Sequence, residues 1–387
     1  MSNEISIIIT LSVIIFISPY LAKIFKIPTT PIEIVLGSLA GYFGFILDNG
    51  LFHLIAEIGF FYLMFLAGTE VNLKVLLNMQ KDTLKKSIIY ISMLYVLAFI
   101  FSRFFHFGDI FIVIMPLISV GLILTLFKEY GKDNLWLNLS MSVGTLGEVV
   151  SIMALTLVGA MLEHGIGVEL YKALGYLALF LIAMGFLFKF LRVIFWWYPE
   201  LKTLLVPINY DKDEKDIRLS MALFFLMIAV MLLLNLEIAF GAFIAGMFIA
   251  TFFEYKEELP HKLSSFGFGF LVPIFFVYIG STFKLESLLI SGLIETALII
   301  TFSMIGIRIF ASLIFYRYLG LKQMLLFALS HSMPLTLLIA IATLAYQNNN
   351  IDQFHYYGFI LASLFQVIIT MICIKFINRI KSTQNAT

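Results

Sequence analysis

Glu148 and Arg308 are the residues whose placement asks for a chemical reason. Glu148 sits midway along the apolar stretch LNLSMSVGTLGEVVSIMALTLVGAM, and Arg308 lies within IITFSMIGIRIFASLIFYRYL, ahead of Arg317 at the end of that run. In a helix the residues between Arg308 and Arg317 amount to roughly 14 Å of depth. A charge placed that deep in hydrocarbon costs about 2.5–3.5 kcal/mol on insertion scales, so each needs a use. Small residues crowd the carboxylate: Gly144, Thr145, Gly147 and Ser151 lie within a turn of it. Such residues let a backbone or a hydrated ion come close. A deep carboxylate with access to water can hold a proton or a cation in turn. Burial and a nearby guanidinium act on it in opposite senses, which can poise it to exchange protons near physiological pH. Arg308 is expected to be its charge partner. A purely structural ion pair is the plainer alternative, but buried pairs stabilise poorly compared with apolar packing.

The elements that position these residues follow from composition. Of the 387 residues, 61% are hydrophobic and 13% charged, and the mean hydropathy is +1.02. Soluble domains carry about 25% charged residues. Apolar runs of membrane-spanning length recur from end to end, with none of the short alternating segments of a membrane β-barrel. The expectation is an all-α polytopic membrane protein of about thirteen transmembrane helices. They fall near 4–22, 31–48, 51–68, 86–104, 108–127, 135–161, 170–197, 217–234, 236–253, 265–282, 286–316, 321–346 and 354–378. The stretch 198–217 reads as the longest loop, and no soluble regulatory domain is expected. The first span, with no basic residue before it, reads as a retained helix rather than a signal peptide.

Alternate loops differ in basic residues. One set runs from Lys23 and Lys26 through Lys74, Lys128, Lys132 and the Lys189–Arg218 cluster to Lys256, Lys262, Arg317 and Arg379; the other holds only Arg103, Lys172 and Lys284. The positive-inside rule then places the amino terminus outside and the carboxyl terminus in the cytoplasm of a cell (plasma or inner) membrane. Basic and acidic residues nearly balance, 25 against 24, which argues against a nucleic-acid partner. The single cysteine, Cys373, excludes an intrachain disulfide.

An odd count divides as six, one, six within a single transport domain, 1–381. Repeat one is about 1–161, the linking helix about 170–197, and repeat two about 217–381. Two such units insert with opposite orientations, an arrangement common in secondary transporters. Helix-breaking residues fall at matching places: Pro116, Ser119 and Gly121 in the fifth span, and Ser330, His331, Ser332 and Pro334 in the twelfth. Proline removes a helix hydrogen bond and clashes with the preceding turn, so both spans are candidate broken helices. Glu33 and Glu57 lie nearer helix ends and read as interface or structural residues. His331 has no second His or Cys at ligand spacing, so no metal site is expected beyond a transported cation. Gln366 and Asn235 read as bonds to neighbouring helices. No HExxH, GxSxG, phosphate-binding loop or CxxC occurs, so neither an enzyme nor a cofactor is indicated.

Several stretches resemble family 2 of the monovalent cation:proton antiporters, which includes potassium-efflux and sodium/proton exchangers. They are LIAEIGFFYLMFLAGTEVNLKVL (54–76), AFGAFIAGMFIA (239–250), VPIFFVYIGSTF (272–283) and PIEIVLGSLAG (31–41), spread over the whole chain with matching spacing. The resemblance implies an elevator-type transporter, generally a homodimer. Its core domain would hold the fourth to sixth and eleventh to thirteenth spans, where two broken helices cross beside an acid that binds cation or proton in turn. Glu148 stands where the family has its essential aspartate, with Ser119 and Gly147 as companions in the cation and proton site. Arg308 stands where the family has a mid-membrane lysine or arginine. The crossing would fall at Ile118-Ser119-Val120-Gly121 and near Ser332-Pro334. Some positions depart from the family pattern. Gly147 replaces the usual Asn, Gln or Asp, Glu replaces Asp, only Ser119 remains of a polar crossing, and the twelfth span lacks a GGEF run. The implied activity is electroneutral exchange of sodium or potassium for protons, with the bilayer, a second copy and a separate regulatory subunit as partners. A ligand-gated potassium-efflux channel and a transport-deficient sensor on the same scaffold are the alternatives. No carbonyl-lined filter such as TVGYG favours the channel.

Overall fold

The computed structural model describes residues 3–25, 27–47, 49–71, 79–105, 107–130, 134–164, 167–207, 212–256 and 258–384. Lys26, Lys74, Lys132 and residues 72–76 of the third-span signature lie outside the described residues. Among the described residues every regular element is helical: α1 (Asn3–Phe25), α2 (Thr29–Tyr42), α3 (Gly50–Thr69), α4 (Lys81–Phe104), α5 (Ile110–Ile114), α6 (Gly121–Tyr130), α7 (Leu135–His164), α8 (Val168–Trp197), α9 (Pro199–Leu205), α10 (Lys215–Leu234), α11 (Ile238–Phe252), α12 (Glu258–Phe266), α13 (Val272–Thr282), α14 (Leu293–Ser312), α15 (Tyr316–Ser330), α16 (Leu335–Gln347) and α17 (Gln353–Gln384). Among the described residues, nine stretches are long and apolar enough to cross a membrane, the longest being Leu293–Gln347. The short helices α2 and α11 and the interrupted α5–α6 pair fall below that length.

The chain divides into two compact units, residues 1–74 with 156–284, and residues 75–155 with 285–387. In the first, α2 packs on α13 and α3 on α11 through glycines set against backbone. A methyl group at Gly37 would strike the Val277 carbonyl, at Gly280 the Ile34 carbonyl, at Gly68 the Phe243 carbonyl, and at Gly246 the Phe65 carbonyl. With lipid as apolar as any side chain, such close backbone contact supplies the van der Waals attraction that holds helices together. A π turn at Gly267–Leu271 joins α12 to α13. It takes up the carbonyl that the ring of Pro273 would otherwise strike. The 198–217 segment read as a loop opens instead with α9, whose first residue, Pro199, is preset for a helix N-terminus.

The second unit is built around α14, which packs against α4, α15 and α17. Both expected breaks are present here. Helix α5 stops at Ile114 and the chain is non-helical until α6 begins at Gly121; α15 stops at Ser330 and α16 begins at Leu335. Pro116 and Pro334 lie in these gaps, where each withholds the N–H that would have continued the ladder.

Candidate functional site

Each break exposes backbone groups that a continuous helix would have paired. In a water-free setting they need other partners. At the first break, Ile118 N–H donates to Ser151 Oγ at 2.9 Å. That hydroxyl in turn donates to Gly147 O at 2.8 Å, so helix α7 is tied to the gap one turn beyond Glu148. Val120 N–H donates to Glu148 Oε1 at 3.4 Å, and Ser119 Oγ donates to the same oxygen at 3.3 Å. The carboxylate therefore faces the positive, N-terminal end of α6, where a negative charge is favoured. Ser119 Oγ also lies 3.3 Å from Thr336 Oγ1, in the first turn of α16, so one hydroxyl of each interrupted span meets the other, and Ser119 joins them to the carboxylate. Glu148 is 1% exposed, and its Oε2 is buried with no hydrogen-bond partner among the described residues. Leaving one carboxylate oxygen dry and unpaired costs more than any ordinary buried polar atom. A bound proton or cation would satisfy it.

Gly147 contributes space rather than a ligand. A methyl group there would collide with the side chain of Ile118, so the missing Cβ is what lets α7 lie against the first break. Of the other residues read from sequence, Val120 supplies its N–H and Gly121 starts α6. Pro334 caps α16. Ser332 does not join the site: its hydroxyl is spent on Ala328 O one turn back, at 2.8 Å.

Arg308 corrects the expected ion pair. Its guanidinium is fully buried and donates to three backbone carbonyls. Nε reaches His331 O at 2.8 Å, Nη1 reaches Met304 O at 2.7 Å, and Nη2 reaches Leu117 O. Among the described residues no ion pair joins it to Glu148. The physical reason lies in where the helices stop. Leu117 follows the C-terminal end of α5 and His331 caps α15, so both carbonyls belong to negative helix ends left without N–H partners. A planar fork with five donors and a fixed charge spans two such carbonyls as no other side chain can. Glu148 and Arg308 thus serve opposite ends of the broken helices.

Four further polar side chains complete the core; Ser330 and His331 were among the break residues read from sequence, whereas Tyr90 and Ser140 were passed over. His331 Nε2 lies 3.1 Å from Ser140 O. A carbonyl only accepts, so Nε2 carries the proton and Nδ1 accepts from Tyr90 Oη at 3.3 Å. Ser330 Oγ donates to Ser140 Oγ at 2.9 Å. Together Tyr90, Ser140 and His331 pin the second break to α4 and α7. Tyrosines and serines in apolar helices are too common to signal this. In the first unit Glu33 is 4% exposed and accepts from Ser18 Oγ at 3.4 Å, a buried polar pair between α1 and α2.

The sodium/hydrogen exchanger transmembrane family matches residues 12–379 of the chain. Similar curated proteins include the probable Na+/H+ antiporter 3 of Methanocaldococcus jannaschii, 25% identical over 325 residues, covering 80% of this chain and 79% of that protein. The Na+/H+ antiporter of Enterococcus hirae is 25% identical over 273 residues, covering 68% and 69%. Among solved structures, the sodium proton antiporter MjNhaP1 from Methanocaldococcus jannaschii at pH 8 shares the fold. Its TM-score is 0.68 at 15% identity, covering 97% of this chain and 99% of that one.

Proposed function

We propose that this chain, which belongs to the sodium/hydrogen exchanger transmembrane family, exchanges a monovalent cation, sodium or potassium, for protons across a cell membrane, one for one, at Glu148. The observation that carries the reading is the unpartnered, buried Oε2 of Glu148 beside the interrupted α5–α6 span. The names of the relatives point the same way. A carboxylate coordinates a cation only when ionised, so cation and proton compete for one group, and one group handling either species moves no net charge. Gly147 in place of a second polar side chain leaves a single carboxylate to do this, in keeping with electroneutral exchange. The finer assignment to family 2 rests on the sequence stretches quoted above. Thirteen spans in a six-one-six arrangement, the outside amino terminus and a homodimer belong to the same proposal. So does elevator-type movement, in which the second unit would travel as a body. It draws support from one feature: Glu148, Ser119 and Thr336, together with Arg308 and its three carbonyls, all belong to that unit.

Purified protein in proteoliposomes with an internal pH dye tests the reading. Added cation should drive proton efflux without a membrane potential. As pH falls below the pKa of the carboxyl, protons occupy the site, and the half-saturating cation concentration should rise towards about tenfold per pH unit. Glu148→Gln, which cannot ionise, should abolish cation-driven proton flux while the protein still folds, whereas Glu148→Asp should retain it. A Glu148→Gln protein exchanging at the normal rate would move the site elsewhere.

A further inference from the structure

The oxygens beside Glu148 stand farther apart than close hydrogen bonds would set them. Ser119 Oγ stands 3.3 Å from Glu148 Oε1 and 3.3 Å from Thr336 Oγ1, whereas hydroxyl hydrogen bonds settle near about 2.7–2.8 Å. A cation of the radius of Ca2+ holds oxygens at about 2.4 Å, which sets neighbouring ligands of an octahedron about 3.4 Å apart. Sodium has nearly that radius. Potassium is larger and would open the same spacing further. The third oxygen comes from Thr336, the outermost of the group, half-buried where Ser119 and Glu148 are buried. Its hydroxyl has no hydrogen bond other than the one to Ser119 among the described residues. Pro334 fixes where α16 starts and so where Thr336 sits.

We infer that Thr336 is a cation ligand, completing with Ser119 and both oxygens of Glu148 a cradle of sodium-sized rather than potassium-sized spacing. The inference deepens the exchange reading of the same site and rests on it. Ser119 and Thr336 each offer lone pairs to the ion once their protons turn outward, and the orphaned Oε2 supplies the charge. Because Thr336 rides on α16 and Ser119 on the gap before α6, a bound ion bridges the two interrupted spans, and the protonated carboxyl releases that bridge. Valine has the shape of threonine and no lone pair, so it separates ligation from packing.

The experiment measures proton flux in proteoliposomes at one fixed pH, titrating NaCl, LiCl and KCl separately. Wild-type protein should half-saturate at a sodium concentration at least about tenfold below that for potassium, the ratio expected when one ligand's worth of free energy separates the two. Thr336→Val should raise the sodium value about tenfold or more. It should change potassium less, and leave the melting temperature close to wild type. Thr336→Ser should restore the sodium value. A wild-type protein that does not prefer sodium to potassium overturns the inference, and so does Thr336→Val with unaltered sodium half-saturation. Should Thr336→Val not fold, Thr336→Ala and the wild-type ion order still decide. Glu148→Gln vesicles run alongside keep the two readings apart. Exchange persisting there, or absent from wild type, removes the carboxylate site itself; exchange lost there with Thr336→Val unchanged removes only Thr336.

Discussion

Replacing Arg308 with alanine takes away three hydrogen bonds to the carbonyls of Leu117, His331 and Met304 at once. Bonds from a charged donor contribute about 1.5–3 kcal/mol each, a gross loss of about 5–9 kcal/mol. Removing the guanidinium also removes its own burial cost, about 2.5–3.5 kcal/mol on insertion scales. The net loss is then about 2–6 kcal/mol, and in a chain of this size the melting temperature should fall by about 3–7 °C at a fixed scan rate. Arg308→Lys should fall between alanine and wild type, because one ammonium on a flexible stem cannot span the carbonyls of both helix ends. The decisive assay adds Glu148→Gln to the alanine variant. Two groups joined as a buried ion pair would show about 3–5 kcal/mol of coupling, since breaking the pair once does most of the damage. Groups that each serve their own helix ends should lose stability additively, to within about 1 kcal/mol. Melting unchanged in Arg308→Ala, or a double variant no worse than the single ones, would refute the carbonyl arrangement and restore the direct pair.

Gly147→Asn, which brings back a polar side chain common in the family, should destabilise the protein and slow exchange, because its Cβ meets the side chain of Ile118. Overpacking of this kind costs about 1–3 kcal/mol. Ile118→Ala in the same chain should recover most of the melting temperature; a Gly147→Asn protein as stable as wild type would discount the steric argument. For topology, single cysteines in a background lacking Cys373 should label from outside at Asn348 and from the cytoplasm at Asp211, a position outside the described residues. Labelling of both from one side would end the six-one-six arrangement.

Sequence located the charges and the breaks, because both violate the rule that hydrocarbon-facing helices stay apolar and unbroken. Glu148, Arg308, Pro116 and Pro334 are errors by that rule unless something uses them, and the structure gathers all four into one unit. What sequence could not supply was the partner of each charge. An arginine and a glutamate at depth suggest each other because both are visible as letters, whereas a carbonyl orphaned by a helix break has no letter. Arg308 takes two such carbonyls, those of Leu117 and His331, and adds Met304 O of its own helix; Glu148 takes one orphaned N–H, that of Val120. The same blindness hid Thr336, an ordinary residue in an apolar helix until Pro334 fixes the start of α16. Ser332 lies in the break as expected, yet its hydroxyl closes back on its own helix at Ala328 O, the local bond that serine favours wherever a carbonyl one turn back is free. With the two charges bound to opposite ends of the broken helices rather than to each other, Glu148 keeps one oxygen free, and that freedom is what an exchanger needs. A guanidinium bound directly to the carboxylate would compete with every cation the site is meant to carry.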